Sequence, residues 1–233
     1  MKKKLFLTVM GVTGAGKTTL AVFLAKKMKG RLIQEIPVDQ NPFFKNYYGQ
    51  PQFYFPTQLF FLNAKWQQIR ESRKLKGILI QEPPIYEDML YAQAKLKARS
   101  KEWRLYKTYY DGLIGDPSFP KPDLVIFLRL SFSTMLARIQ KRAGINPQRA
   151  SELKETQVYW RRLWQRHEDW IRKNPLGLRI VILDTDKYDF SNYKNANRAL
   201  EDVFADIVKK IEGRLLSVGF LEGNQGREKK DRI

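Results

Sequence analysis

The sequence predicts an α/β fold, a parallel sheet covered by helices on both faces. Three observations predict it. Short apolar runs alternate with longer segments of helical periodicity from Leu5 to about Glu212 of the 233 residues. The runs, Ile78-Leu-Ile80 among them, are apolar on both faces, as strands of a buried parallel sheet must be. The first run, Leu5–Met10, leads straight into Gly11-Val-Thr-Gly-Ala-Gly16-Lys17-Thr18, a glycine-rich loop that opens a helix.

Taken in order, Leu5–Met10 is the first strand and Thr18 to Met28 an amphipathic helix stopped by Gly30. Arg31 to Ile36 forms a short strand ending at Pro37. Asn41 to Pro51 is aromatic and turn-rich, a shaped surface more than a linker. A long helix runs from about Thr57 to Lys74, and the strand Ile78–Ile80 ends at Gln81-Glu82. Helices follow over roughly Ile85 to Arg99 and Lys101 to Ile114. Pro120-Lys-Pro122 introduces the strand Asp123–Leu128, and Ser133 is the expected N-cap of a helix to Arg142. Gly144 to Ser151 interrupts, another helix reaches about Lys173, Arg179–Leu183 is the last strand and Asn195 to Glu212 the last helix. There is no internal repeat and no linker that splits the chain. One domain over 1–222 is expected, then a charged tail over 223–233.

The loop carries chemistry. Its spacing lets the backbone wrap a polyphosphate with N–H groups turned inward, and the helix behind it adds a partial positive charge. Gly11, Thr13, Gly14, Ala15, Gly16, Lys17, Thr18 and Thr19 are the phosphate-binding candidates. Lys17 is to reach the outer phosphates of ATP or another nucleoside triphosphate, and the Thr18 hydroxyl to hold Mg²⁺. The expected architecture is therefore a P-loop NTPase fold.

Composition narrows the class. At 43% hydrophobic and 13% aromatic, the chain can fill one large core. It has no cysteine and one histidine, His167, which excludes thiolate and histidine-rich metal sites. The Met1-Lys-Lys-Lys start superficially resembles a signal peptide, but the apolar run after it is better used as a strand. No apolar run reaches the length of about 18 residues that a membrane span needs, so a cytoplasmic location with no membrane partner is expected. The formal charge of +19 is spread along the chain and admits nucleic-acid contact without favouring it. No N-K-x-D follows a strand, as a GTPase requires, and no motor-ATPase arrangement is present.

Five further stretches stand out: Pro37-Val-Asp-Gln-Asn-Pro42, Phe55-Pro-Thr-Gln-Leu-Phe-Phe-Leu62, Ile85-Tyr-Glu-Asp88, Pro120–Leu128 and Leu183-Asp-Thr-Asp-Lys-Tyr-Asp-Phe190. Together they carry a resemblance, from Leu5 to about Glu212, to the deoxyribonucleoside kinase family, particularly its bacterial deoxyadenosine/deoxyguanosine kinase-like branch. It implies a five-stranded parallel sheet with a lid, here about 142–152, in a homodimer. It implies transfer of the ATP γ-phosphate to the 5′-hydroxyl of a deoxynucleoside. It places Gln58, Lys65 and Asp88 on the nucleobase, with Phe61 stacking, and Tyr48 (ahead of Tyr47) and Glu152 on the sugar 3′-hydroxyl. Arg138, Arg142 and Arg149 become lid groups for the phosphates, and Glu82 joins Thr18 on Mg²⁺.

Two departures fall on the turnover machinery. The family's general-base glutamate precedes Pro-Val, where this chain has Ile36. Glu35 is adjacent, but neighbouring side chains of a strand face opposite ways, so only a bulge or register shift would let it serve. The family's acidic-Arg-Ser motif is here Glu82-Pro83-Pro84, and proline can neither stabilise phosphate charge nor orient a base. Three readings stand open: a kinase using a rearranged base such as Glu35, slow without the missing pair; a catalytically degenerate nucleotide-binding module; and a nucleic-acid-associated P-loop protein. His167, beside Trp164 and Trp170, is read as helix packing.

Overall fold

A computed structural model of the chain describes residues 5–188 and 198–216. The chain divides into two compact units, Met1–Phe190 and Ser191–Ile233. In the first, five strands, β1 (Leu5–Gly11), β2 (Arg31–Gln34), β3 (Ile78–Glu82), β4 (Leu124–Arg129) and β5 (Ile180–Asp184), form one sheet in the order β2-β3-β1-β4-β5. Every neighbouring pair is parallel, with Leu7 opposite Ile80 and Leu124, and Gln34 opposite Glu82. Parallel strands need helical crossovers, so the alternating sequence pattern becomes a layered molecule.

Helix α1 (Lys17–Lys27) covers β1, β2 and β3 with Leu20, Phe23 and Leu24. Helices α2 (Tyr54–Ser72), α3 (Ile85–Lys95), α4 (Lys101–Gly115) and α6 (Gln157–Lys173) pack on one another. They close a core in which Met10, Val125 and Phe127 of the sheet meet Leu62, Tyr86 and Trp170. Trp66 and Phe119 stack there at 5.8 Å, and Tyr86 on Trp170 at 6.0 Å. Such pairs contribute about 0.5–1.5 kcal/mol beyond their burial. Helix α5 (Phe132–Ile145) continues into a 3₁₀ run over Pro147–Lys154, the expected lid region.

The caps are chemical. Ser100 accepts the Trp103 N–H and Thr156 the Tyr159 N–H. At α5 the cap is Ser131, accepting the Thr134 N–H at 3.2 Å, and not Ser133, which falls inside the first turn. The second unit contributes α7 (Arg198–Leu216), with Phe204, Ile207 and Ile211 at helical spacing. Asp189 and Phe190 of the closing motif, the expected helix start at Asn195 and the tail 223–233 lie outside the described residues.

β2 stops at Gln34, two residues before the Ile36 expected from the sequence. The Ile36-Pro37 step ends the ladder, since the residue before proline is held extended and proline has no N–H to pair. Because all five strands run the same way, their carboxyl ends share one edge, where open α/β sheets bind ligands. Glu35, Glu82 and the glycine loop all leave the sheet at that edge.

Candidate active site

The glycine loop is built from close approach. A Cβ on Gly11, at φ +154°, would lie 2.6 Å from the Leu128 carbonyl oxygen. Gly16 caps α1 at φ 91°, a left-handed conformation that side chains disfavour. Behind the loop stands Glu87, fully buried in the first turn of α3. Its Oε1 accepts the Gly11 N–H at 2.6 Å, and its Oε2 lies 3.3 Å from Lys17 Nζ. The Lys17 ammonium also donates to the Gly11 carbonyl. Burial works against that ammonium, yet Glu87, helped by Tyr91, Glu82 and Glu35, holds its pKa above the ordinary lysine value. Ala15 donates its N–H to Val12 at 3.1 Å, and the Thr13 hydroxyl meets the Tyr91 hydroxyl at 2.8 Å. Glu87 and Tyr91 were missed in the sequence. A glutamate beside the more conspicuous Asp88 gives no local signal that it serves a loop 76 residues away.

Thr18, at the start of α1, donates its hydroxyl to Glu82 Oε2 at 3.0 Å. Burial pushes the Glu82 carboxyl up to about 7, against the pull of Lys17. Among the described residues no three His, Cys, Asp or Glu side chains gather as a metal cage. Two hard oxygens at the mouth of a phosphate loop fit Mg²⁺, which keeps waters and takes phosphate oxygens for the rest of its shell.

β2, expected to run through Glu35 to Ile36, ends at Gln34, and the Glu35 N–H still donates to the Glu82 carbonyl at 2.8 Å. Glu35 Oε1 lies 3.0 Å from Lys65 Nζ, and the same ammonium donates to Asp88 Oδ1 at 2.9 Å. Lys65 and Asp88 are both buried. Asp88 Oδ2 is buried with no hydrogen-bond partner among the described residues, as is the hydroxyl of Tyr106, whose pKa burial and the Asp88 charge raise.

Gln58 and Lys65, seven residues apart, share one face of α2. Gln58 Nε2 donates to the Tyr47 hydroxyl at 2.7 Å. Phe44 meets Tyr47, Tyr48 and Phe61 at 5.7, 5.7 and 5.9 Å, joining these rings to the same wall. Thus Tyr47, ranked behind Tyr48 in the sequence, is the one bonded to Gln58. Lys95 completes the wall: paired with Glu155, its ammonium is 4.9, 5.3, 4.4 and 4.1 Å from the rings of Tyr47, Tyr48, Tyr54 and Tyr159.

The three lid arginines divide. Arg138 spends its guanidinium on the carbonyls of Gly14, Thr185 and Tyr188, at 3.2, 2.7 and 2.6 Å. These bonds tie the loop to the segment after β5. Arg142 and Arg149 both grip the buried Glu152, at 2.6 and 3.1 Å. The Glu152 charge helps burial raise the Tyr48 hydroxyl, so this cluster borders the tyrosine wall. His167 is packing, as read: Nδ1 meets the Leu163 carbonyl at 2.9 Å, and burial lowers its pKa to about 3.

Residues 7–211 match the family model described as deoxynucleoside kinase. The chain is 28% identical over 211 residues to the deoxyadenosine/deoxycytidine kinase of Bacillus subtilis, covering 88% of this chain and 94% of that protein. It is 30% identical over 212 residues to a deoxyguanosine kinase of Lactobacillus acidophilus, covering 88% and 91%. The solved structure of deoxyadenosine kinase from M. mycoides with bound dATP superimposes with a TM-score of 0.73 at 24% identity, over 90% of this chain and 100% of that one.

Proposed function

The chain belongs to the deoxynucleoside kinase family, and from that premise we propose that Glu35 is the base in transfer of the ATP γ-phosphate to a deoxynucleoside 5′-hydroxyl. The single observation that carries this is the meeting of two clusters at one sheet edge: Lys17, Thr18 and Glu82, then Glu35, Lys65 and Asp88. The 5′-oxygen bonds to the γ-phosphorus, the bond from that phosphorus to the bridging oxygen breaks, and ADP leaves with the electron pair. Glu35 takes the hydroxyl proton. Lys17 exchanges part of its hold on Glu87 for phosphate oxygens, a charge-assisted contact. Thr18 and Glu82 would hold Mg²⁺, which when bound neutralises phosphate charge. Arg142 and Arg149 supply lid charge, while Tyr48 and Glu152 take the sugar.

The unpaired Asp88 Oδ2 is an acceptor and asks for a donor on the base. Deoxyadenosine, deoxycytidine and deoxyguanosine meet that need with an exocyclic amino group, thymidine only with its ring N3–H. The proposed substrate is an amino-bearing deoxynucleoside, in keeping with the names of the two relatives. We also propose a homodimer, on the exposed apolar Leu105 and Tyr109 of α4. A labelled-phosphate assay against the four deoxynucleosides tests the reading: transfer to amino-bearing substrates, none to thymidine, and near abolition in Lys17→Ala. Failure to phosphorylate any of the four would overturn it.

A further inference from the structure

We propose that Lys65 is a positioning residue for phosphoryl transfer, fixing the Glu35 carboxylate in a site where Pro83 leaves no cation and tying that carboxylate to base recognition through Asp88. This rests on the kinase reading above. Glu35 stands beyond a strand end, and its side chain is 34% exposed, so the ladder does not set its direction. Lys65 is 5% exposed on the rigid face of α2 and holds both carboxylates at once, at 3.0 and 2.9 Å. An ammonium has three donors, so the two contacts are compatible and leave one proton free. Pro83 and Pro84 follow Glu82 directly, and a proline side chain has no donor for Glu35 or for phosphate.

Lys65 thereby works in two directions. Toward α3 it holds Asp88 Oδ1, leaving Oδ2 unpaired for the base. Toward β2 it holds the atom that must meet the 5′-hydroxyl within about 2.6–3.2 Å. A base that fails to engage Asp88 lets the ammonium shift, and Glu35 with it. Selectivity then appears in kcat as well as in KM, which a pure binding contact would not produce.

A double-mutant cycle tests this. Lys65→Met should lower kcat by about 10- to 100-fold when Glu35 is present. In a Glu35→Gln background the same substitution should change kcat less than about threefold, since the group to be positioned is gone. Lys65→Arg should recover part of kcat. Should Lys65→Met misfold around an unpaired Asp88, the Lys65→Met, Asp88→Asn double variant measured against Asp88→Asn makes the same comparison in a neutral pair. Equal losses in both Glu35 backgrounds, or a change confined to KM, would overturn the proposal and leave the kinase reading standing. An unsubstituted chain that phosphorylates no deoxynucleoside overturns both.

Discussion

At Glu82 burial raises the carboxyl to about 7, and the Glu35 charge adds to that against Lys17 and the Thr18 hydroxyl. In the proposed metal role this carboxyl must be ionised, so the metal-nucleotide should bind better as pH rises toward and past 7. The expected outcome is an affinity that strengthens by up to about tenfold per pH unit below 7. Titration calorimetry from acid to neutral pH measures it, and Glu82→Gln should flatten the dependence. Stability moves the other way. The unfolded carboxyl titrates near 4.5, so the folded chain alone keeps the proton between 4.5 and about 7. That contribution is full below 4.5 and lost as pH rises through about 7. Single residues were the hardest scale to read. The loop residues Gly11–Thr18 were legible because their spacing is itself the chemistry. Glu35 was not, because its usefulness depends on where the strand stops, and strand ends are set by the local Pro37 step and not by apolar pattern.

Among the elements, α3 reaches furthest. One turn of it, Glu87-Asp88, supports the glycine loop with the first residue and holds Lys65 with the second. Adjacent helical residues point about 100° apart, which is how one turn serves two sites. Glu87→Leu removes the partner of a buried ammonium and strands the Gly11 N–H, so we expect a loss of about 3–5 kcal/mol. Glu87→Gln keeps the acceptor for Gly11 and should cost less. Urea unfolding measures both; a loss under about 1 kcal/mol for Glu87→Leu would mean the loop does not depend on this residue. The five strands and the α-helices of the first unit were legible from apolar period, since each buries a face against the sheet or a neighbouring helix. Their ends were not: β2 ran shorter than expected and α5 begins one cap earlier, at Ser131 in place of Ser133. Serines at 131 and 133 are equivalent in sequence, and only the backbone decides which hydroxyl meets the Thr134 N–H.

For the whole molecule, the parallel sheet was legible from the alternation of apolar runs with helical segments, but its order β2-β3-β1-β4-β5 was not, because right-handed crossovers admit several orders of five parallel strands. The +19 charge did not lead to the site, because lysines and arginines are distributed over most elements. Those that matter were distinguished by a buried carboxylate beside them: Lys17 by Glu87, Lys65 by Asp88, Arg142 by Glu152. Association between copies is the prediction at this scale. Leu105 is 52% and Tyr109 37% exposed, one helical turn apart on α4. Leu105→Asp should convert the proposed dimer to monomer in light scattering, with unfolding midpoint nearly unchanged because an exposed side chain is replaced. A monomer before substitution would remove that assignment.

Lys95 offers a way to watch the site open. Its side chain is 2% exposed, with the ammonium ringed by four tyrosines and paired with Glu155, and burial lowers its pKa. An amine-acylating reagent finds surface lysines at once, but this one only when the rings around it part. Lysines of depressed pKa react readily once reached, because more of the amine is unprotonated. The acylation of Lys95, read by mass spectrometry against that of exposed Lys107, thus becomes a clock for openings of the tyrosine wall. A bound deoxynucleoside should slow that clock without touching the reference.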